Sequence, residues 1–542
     1  MKTTKKIVSI LLALAMVLSL ATTAFAEDGE ATPATYSITI NNDAEGHTYE
    51  AYQIFVGDLS VTTDENGKEV KVLSNVKWGK NAKQTGVVAE EILEDLTAEE
   101  AISYVDMSTD PAGTSTVVDG QYVIAGLAPG YYLVKDQNGS LNGDNDSYTQ
   151  YILKVVADVT ATPKSDVPEV EKKVDDENDS NTNEDATDWE DSADHDIGDH
   201  VPFQLKATLA DNVEDYLKYK IVFHDTMSKG LTYDEGSYKV YLGNDPATRT
   251  EVTSHFQINV GEYSATEGTK ISFTCENVKA FGATNSSVIV VEFTATLNEY
   301  ANIGAAGNPN EVYLEYSNNP NWGWDKWEDK DDDDKWDEGE TPENPDNPDN
   351  PNGDETGNTP KDKVIVFTYK VIVNKVDQDK APLKGATFTM YKKLSAQPAE
   401  DSDVNYITET KNDVVTYWQI IGEIKGEEIS TFEWIGLDDG DYKLVETVTP
   451  AGYNTIDPIE FTISATHEEE SDDPKLLTLS GGDKFTGNVD VGTLTGEVVN
   501  NAGTVLPETG GVGTTIFYIL GAVLMLGTAV VLVARKRMSA NA

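Results

Sequence analysis

Between Tyr36 and Asn500 no apolar pattern with a period near 3.6 residues runs long enough to make a packed helix, and this absence restricts the fold more than any other feature. The chain is instead cut into short runs rich in Val, Ile, Tyr and Thr, among them Tyr36–Ile40, Tyr148–Val156, Phe203–Leu209, Ser287–Leu297 and Glu311–Tyr316. Gly, Asn and Asp separate them. Alternation at period two with frequent turn signals predicts an all-β chain of tandem immunoglobulin-like β-sandwiches. Thr85 to Val105 is the one stretch that reads as a helical insertion, with Thr97 as its cap.

The two ends read as addresses rather than fold. Lys2, Lys5 and Lys6 precede an apolar stretch from Ile7 to Leu20, and Ala24-Phe25-Ala26 is a small-x-small cleavage site. Residues 1–26 are therefore a secretory signal peptide and stand outside the fold. At the other end Leu506-Pro507-Glu508-Thr509-Gly510 is followed by an apolar run, Thr514 to Ala534, and then Arg535-Lys536-Arg537. Those 21 residues span about 31 Å as a helix, the thickness of a bilayer's hydrocarbon core. The basic triplet stays on the cytoplasmic side by the positive-inside rule.

Lys+Arg number 40 against 95 Asp+Glu, a net charge of −55, which excludes nucleic acid as a partner and favours a self-repelling exterior. Cys275 is the single cysteine, so disulfides cannot be the covalent staples of this exported chain. No His/Cys cluster, HExxH, GxSxG or phosphate-binding loop is present, and no cofactor or enzymatic activity is expected.

Composition divides the mature chain into a first block at 36–163, a second at 164–318, and an acidic insert at 319–362. A third block at 363–503 and the anchor segment at 504–542 follow. The insert surrounds Trp322, Trp324, Trp327 and Trp336 with Asp, Asn and Gly, then repeats Asn-Pro-Asp as an extended linker. Asp331 to Asp334 lack the spacing of a cation loop and read as a solvated charge run, so no metal site is assigned.

Blocks one and three repeat one another. Tyr36-Ser-Ile-Thr-Ile-Asn-Asn42 aligns with Tyr369-Lys-Val-Ile-Val-Asn-Lys375, and Gly126-Leu127 through Asp136 aligns with Gly436-Leu437 through Glu446. Lys375 of the third block is Asn42 in the first. Val371, Val373 and Lys375 alternate onto one strand face, which puts an amine in a Val-lined core. Tyr442, Leu444 and Glu446 aim a carboxyl at the same core, and Val498-Val499-Asn500 ends in an amide. Burial pushes an amine toward its neutral, nucleophilic form and a carboxyl toward its protonated form. Lys, Glu and Asn held together in a dry core are what a Lys–Asn amide bond with loss of ammonia requires; an ordinary salt bridge is the alternative.

Residues 442–453, Tyr-Lys-Leu-Val-Glu-Thr-Val-Thr-Pro-Ala-Gly-Tyr, resemble the E-box (YxLxETxAPxGY) of Gram-positive pilins and CnaB-type domains, with Thr449 at the usual Ala. Val371 through Asp377, with Pro382-Leu383, Gly385-Ala386 and Phe388, resembles the lysine strand of that family. The resemblance implies a Lys375–Asn500 isopeptide bond with Glu446 as catalyst, Asn501 being the adjacent competitor. The first block lacks the lysine, so no such bond is expected there and Asp136 becomes a remnant or a surface acid.

The pentapeptide, apolar run and basic tail together resemble an LPXTG cell-wall sorting signal, whose Thr–Gly bond sortase cleaves. Val155 to Lys164 resembles in part the pilin motif WxxxVxVYPK, with Thr162 at the Tyr and the Trp missing. That implies Lys164 as the amine that attacks Thr509 of the next subunit; a solvated linker lysine is the alternative. Pro168 to Val174 resembles the start of the second domain of SpaA-type backbone pilins, with Lys172 facing inward and Lys173 outward. His224 to Tyr233 and Asn308 to Tyr316 resemble that domain's aspartate segment and closing strand. They imply a CnaA-like domain with a Lys172–Asn310 bond and Asp225 as its acid, Asn318 being the rival acceptor.

The resemblance as a whole implies a structural major pilin, a sortase substrate rather than an enzyme, joined from Thr509 to Lys164 and anchored to the cell wall as an extracellular pilus. Its implied partners are pilin-specific and housekeeping sortases, other copies of itself, minor pilins, peptidoglycan and a host or surface ligand. A wall-anchored adhesin or tip pilin that is not polymerised through Lys164 is the competing reading.

Overall fold

The computed structural model describes most of residues 34–503. Residues 1–33, 321–355 and 504–542 lie outside the description, as do shorter stretches at 43, 64–68, 90–91, 93–97, 138, 142–145, 164–165, 177–188, 217 and 400–403. The four tryptophans of the insert, Lys164, and the whole of Leu506 to Gly510 are therefore not described. Among the described residues no helix is long and apolar enough to cross a membrane.

The chain is all-β. Among the described residues of the expected helical insertion, Ala98–Ser103 forms a six-residue helix. Six sheets pack in pairs, so each alternating strand buries one face in a core. In the first pair, Tyr36–Ile40 lies between Gln121–Leu127 (antiparallel) and Val159–Ala161 (parallel), facing a sheet built on Tyr49–Thr63 and Gly130–Asp136. The last pair repeats this plan. Tyr369–Asp377 lies between Thr431–Leu437 (antiparallel) and Thr493–Asn500 (parallel), opposite a sheet containing Thr387–Leu394 and Gly440–Val448. The aligned glycines have the same task in both: at Gly126 and Gly436, φ is +79° and +81° and the ladder slips by one residue. Such a bulge needs the left-handed backbone that glycine adopts without cost.

The middle pair holds two seven-stranded sheets around Phe203, Phe223, Phe273, Phe293 and Leu314. The strand Asp362–Phe367, which composition assigns to the third block, belongs by its ladder to this middle sandwich. It pairs antiparallel with Asn308–Val312 and parallel with Ser192–Asp194. Its side chains divide between two cores: Val364 and Val366 enter the middle one, Ile365 and Phe367 the third. Alternation marks a strand but not its neighbours, which is why the boundary is misplaced when read from sequence. Only Thr368 separates this strand from Tyr369–Asp377, so the two domains share a nearly continuous backbone.

A buried ion cluster fastens the same joint. Lys392 Nζ contacts Asp438 of its own domain at 2.6 Å and Asp196 of the middle domain at 2.7 Å, and the Asp438 N–H donates to Asp196. Asp199 lies close to both carboxylates; the Lys392 amine supplies their counter-charge.

Candidate crosslink sites

In the third domain the face predicted from alternation is observed: Val371, Val373 and Lys375 are fully buried, as are Tyr442 and Leu444, with Glu446 nearly so. Lys375 stands opposite Val498 in the parallel ladder, two residues before Asn500. Its Nζ donates to the carbonyls of Val376 (3.1 Å) and Val498 (3.0 Å). Burial lowers the Lys375 pKa, opposed by the charges of Glu446 and Asp377. The Asn500 amide nitrogen donates to both Glu446 oxygens, at 2.8 Å and 3.1 Å, while its buried carbonyl oxygen has no hydrogen-bond partner. Asn501 is exposed, and its carbonyl is engaged by the Asn454 N–H. Of the two adjacent amides, only Asn500 faces the carboxyl.

The arrangement has the parts for amide exchange. A neutral Lys375 amine can attack the Asn500 side-chain carbon, and Glu446 can accept a proton from the amine and pass one to the departing nitrogen.

The middle domain brings together its own set. Lys172, Asp225 and Asn310 are all buried. Lys172 Nζ bonds Asp225 directly and lies 5.4 Å from the ring centres of both Phe203 and Phe293, so it has aromatic walls. Burial lowers the Lys172 pKa against the pull of Asp225, and burial raises the Asp225 pKa against Lys172 and Asn310. Both shifts favour the neutral pair. The Asn310 carboxamide makes no hydrogen bond within 3.5 Å, yet it is near enough to Asp225 to hold its carboxyl down. In the ladder Asn310 stands opposite Met227, two residues from Asp225. The rival Asn318 lies eight residues further on, roughly 26 Å along the strand direction, and its carbonyl accepts from Tyr148 of the first domain. Lys173 points outward to Asp191.

The first domain holds an acid where none was expected to matter. Asp136 is fully buried, not a surface acid. His47 Nδ1 contacts it at 2.7 Å, and Thr149 donates to it from both N–H and hydroxyl. Asn42, at the lysine position, donates to the Tyr49 hydroxyl. Burial pulls the His47 pKa down, but Asp136 and Asp146 together push it up to about 9. Sequence reasoning missed His47 because it sits in a turn beyond the strand, off any alternating face. Lys392 carried a readable signal: it shares a face with Phe388, Met390 and Leu394, the same pattern that marks Lys375.

Lys164 and Thr509 lie outside the described residues. The Asp166 carboxylate accepts from Asp211 N–H at 2.7 Å, and Tyr316 donates to the Asp146 carbonyl across the first joint.

Family comparisons match three parts of the chain. Residues 197–320 match the Gram-positive pilin backbone subunit 2, Cna-B-like domain. Residues 369–474 match the SpaA prealbumin-like fold domain, and 498–539 the LPXTG cell wall anchor motif. The chain is 24% identical over 464 residues to the trypsin-resistant surface T6 protein of Streptococcus pyogenes serotype M6, covering 73% of this chain and 74% of that protein. Among solved structures it is similar to the T6 backbone pilin of the same organism (18% identity, 88% of this chain and 100% of that one, TM-score 0.49). It is also similar to the major pilin SpaD of Corynebacterium diphtheriae (19%, 87% and 98%, TM-score 0.45).

Proposed function

We propose that this chain, built of Gram-positive backbone-pilin domains and carrying an LPXTG wall anchor, is the polymerising subunit of a pilus and locks its own middle and third domains with amide bonds. The observation that carries the reading is the pair of buried Lys–acid–Asn sets, Lys172/Asp225/Asn310 and Lys375/Glu446/Asn500. A buried lysine beside one carboxyl has a structural use as a salt bridge. A buried carboxamide beside the same carboxyl in both domains is harder to explain that way.

Each bond forms by the same balance. The neutral lysine amine attacks the asparagine side-chain carbon, and the acid relays one proton from the attacking nitrogen to the amide nitrogen. The C–N bond to the amide nitrogen then breaks, and that nitrogen leaves as ammonia. In the polymer, sortase cleaves after Thr509 and transfers its carboxyl to Lys164 of the next copy, or to peptidoglycan at the base. The chain catalyses only its internal bonds.

Lys164→Ala tests the polymer reading. A ladder of high-mass species on denaturing gels should be lost in the variant, while monomer export and wall anchoring persist. An unchanged ladder would overturn the assignment of Lys164.

A further inference from the structure

The two oxygens of Glu446 are not equivalent. Oε2 accepts from the Thr449 hydroxyl and from the Ile456 N–H, both at 3.2 Å. Oε1 touches the Asn500 amide nitrogen at 2.8 Å, against 3.1 Å for Oε2. Thr449 in turn pairs with the Thr455 hydroxyl at 2.7 Å. A carboxylate only accepts, so Thr449 must spend its proton on Glu446, and Thr455 must donate to Thr449.

We propose that Thr449 is a positioning residue for the third-domain crosslink: with the Ile456 amide it anchors Oε2 and leaves Oε1 as the oxygen that carries the proton from Lys375 to Asn500. The proposal rests on the Lys375–Asn500 reading above. Thr449 stands where the E-box usually has Ala, so its hydroxyl is a feature of this chain rather than of that motif. Its consequence is kinetic. Without Thr449 the Oε2 anchor falls to the Ile456 amide alone, the carboxyl is freer to turn, and Oε1 is less often aligned with the Asn500 amide nitrogen.

The test is the rate of bond formation in the full chain, made by cell-free synthesis. Samples are quenched at intervals and digested, and the joined peptides bearing residues 375 and 500 are quantified. Thr449→Val and Thr449→Ala should slow joining about tenfold, with Thr449→Ser restoring the parental rate. Joining of 172 to 310 in the same samples reports whether the variants fold. A parental rate in Thr449→Val overturns the proposal, as does slowing that Thr449→Ser does not rescue. If the parent never joins 375 to 500, the underlying crosslink reading fails instead.

Discussion

The first and third domains share a topology, a bulge glycine and an acid at the same strand position, yet they hold their cores in different ways. In the third, Lys375 and Asn500 face Glu446. In the first, Asn42 takes the lysine position and His47 pairs with the remaining acid, Asp136. The third domain's register puts the acceptor two residues beyond the lysine's ladder partner; in the first domain the described parallel ladder ends at Ala161, and the sequence that follows, Thr162 to Ser165, contains no carboxamide to exchange. The difference follows the path of tension in the proposed polymer. Lys164 lies eight residues before Lys172, and Thr509 nine after Asn500, so load enters and leaves almost at the crosslinks. The first domain precedes Lys164 and hangs outside that path. An ionic lock is enough where no force passes.

Removing the lysine should have the largest effect. Lys375→Ala leaves a 125-residue loop (500 − 375) unclosed and should cost the third domain about 5 kcal/mol in the loop-entropy model, read as a lower denaturant midpoint. Its reciprocal sharpens the contrast. Asn42→Lys should gain no crosslink, because no carboxamide follows the parallel strand within residues 162–165; a loss of ammonia in that variant would break the contrast.

Next is the joint. Lys392→Ala strips the counter-charge from buried Asp438 and Asp196 and should cost about 3–5 kcal/mol. It should also uncouple the middle and third domains, giving two calorimetric transitions where the parent shows one. No ion cluster of this kind is described between the first and middle domains, and the first should melt independently in both proteins.

The smallest effect is the first domain's response to pH. His47 has a folded pKa of about 9 against an ordinary 6.5. Its contribution is therefore complete below about pH 6.5 and is lost as pH rises through about 9. The first transition should fall over that window, and His47→Gln should flatten the response. A third domain that follows the same slope would show that the contrast is not local.

Both lysine sites were legible because a charge on a Val-lined alternating face contradicts its surroundings, and the contradiction survives without a structure. Lys375 and Lys172 follow that rule, and Lys392 obeys it too, though its partner Asp196 lies 196 residues away and in another domain. What alternation cannot carry is pairing. Asp362–Phe367 reads as a strand in any assignment, and only its ladder to Asn308–Val312 shows which sandwich owns it. The His47–Asp136 pair was illegible for a related reason: a turn residue has no face until the chain closes around it.

The intact mass of the folded mature chain tests the central claim most directly. Two Lys–Asn bonds remove two ammonia molecules, about 34 Da in total from the loss of NH₃ in amide formation. Lys172→Ala and Lys375→Ala should each restore about half of that, and peptide mapping should join 172 to 310 and 375 to 500 with nothing joined in the first domain. A parent mass equal to that of the sequence, or a joined peptide from residues 36–163, would contradict the account.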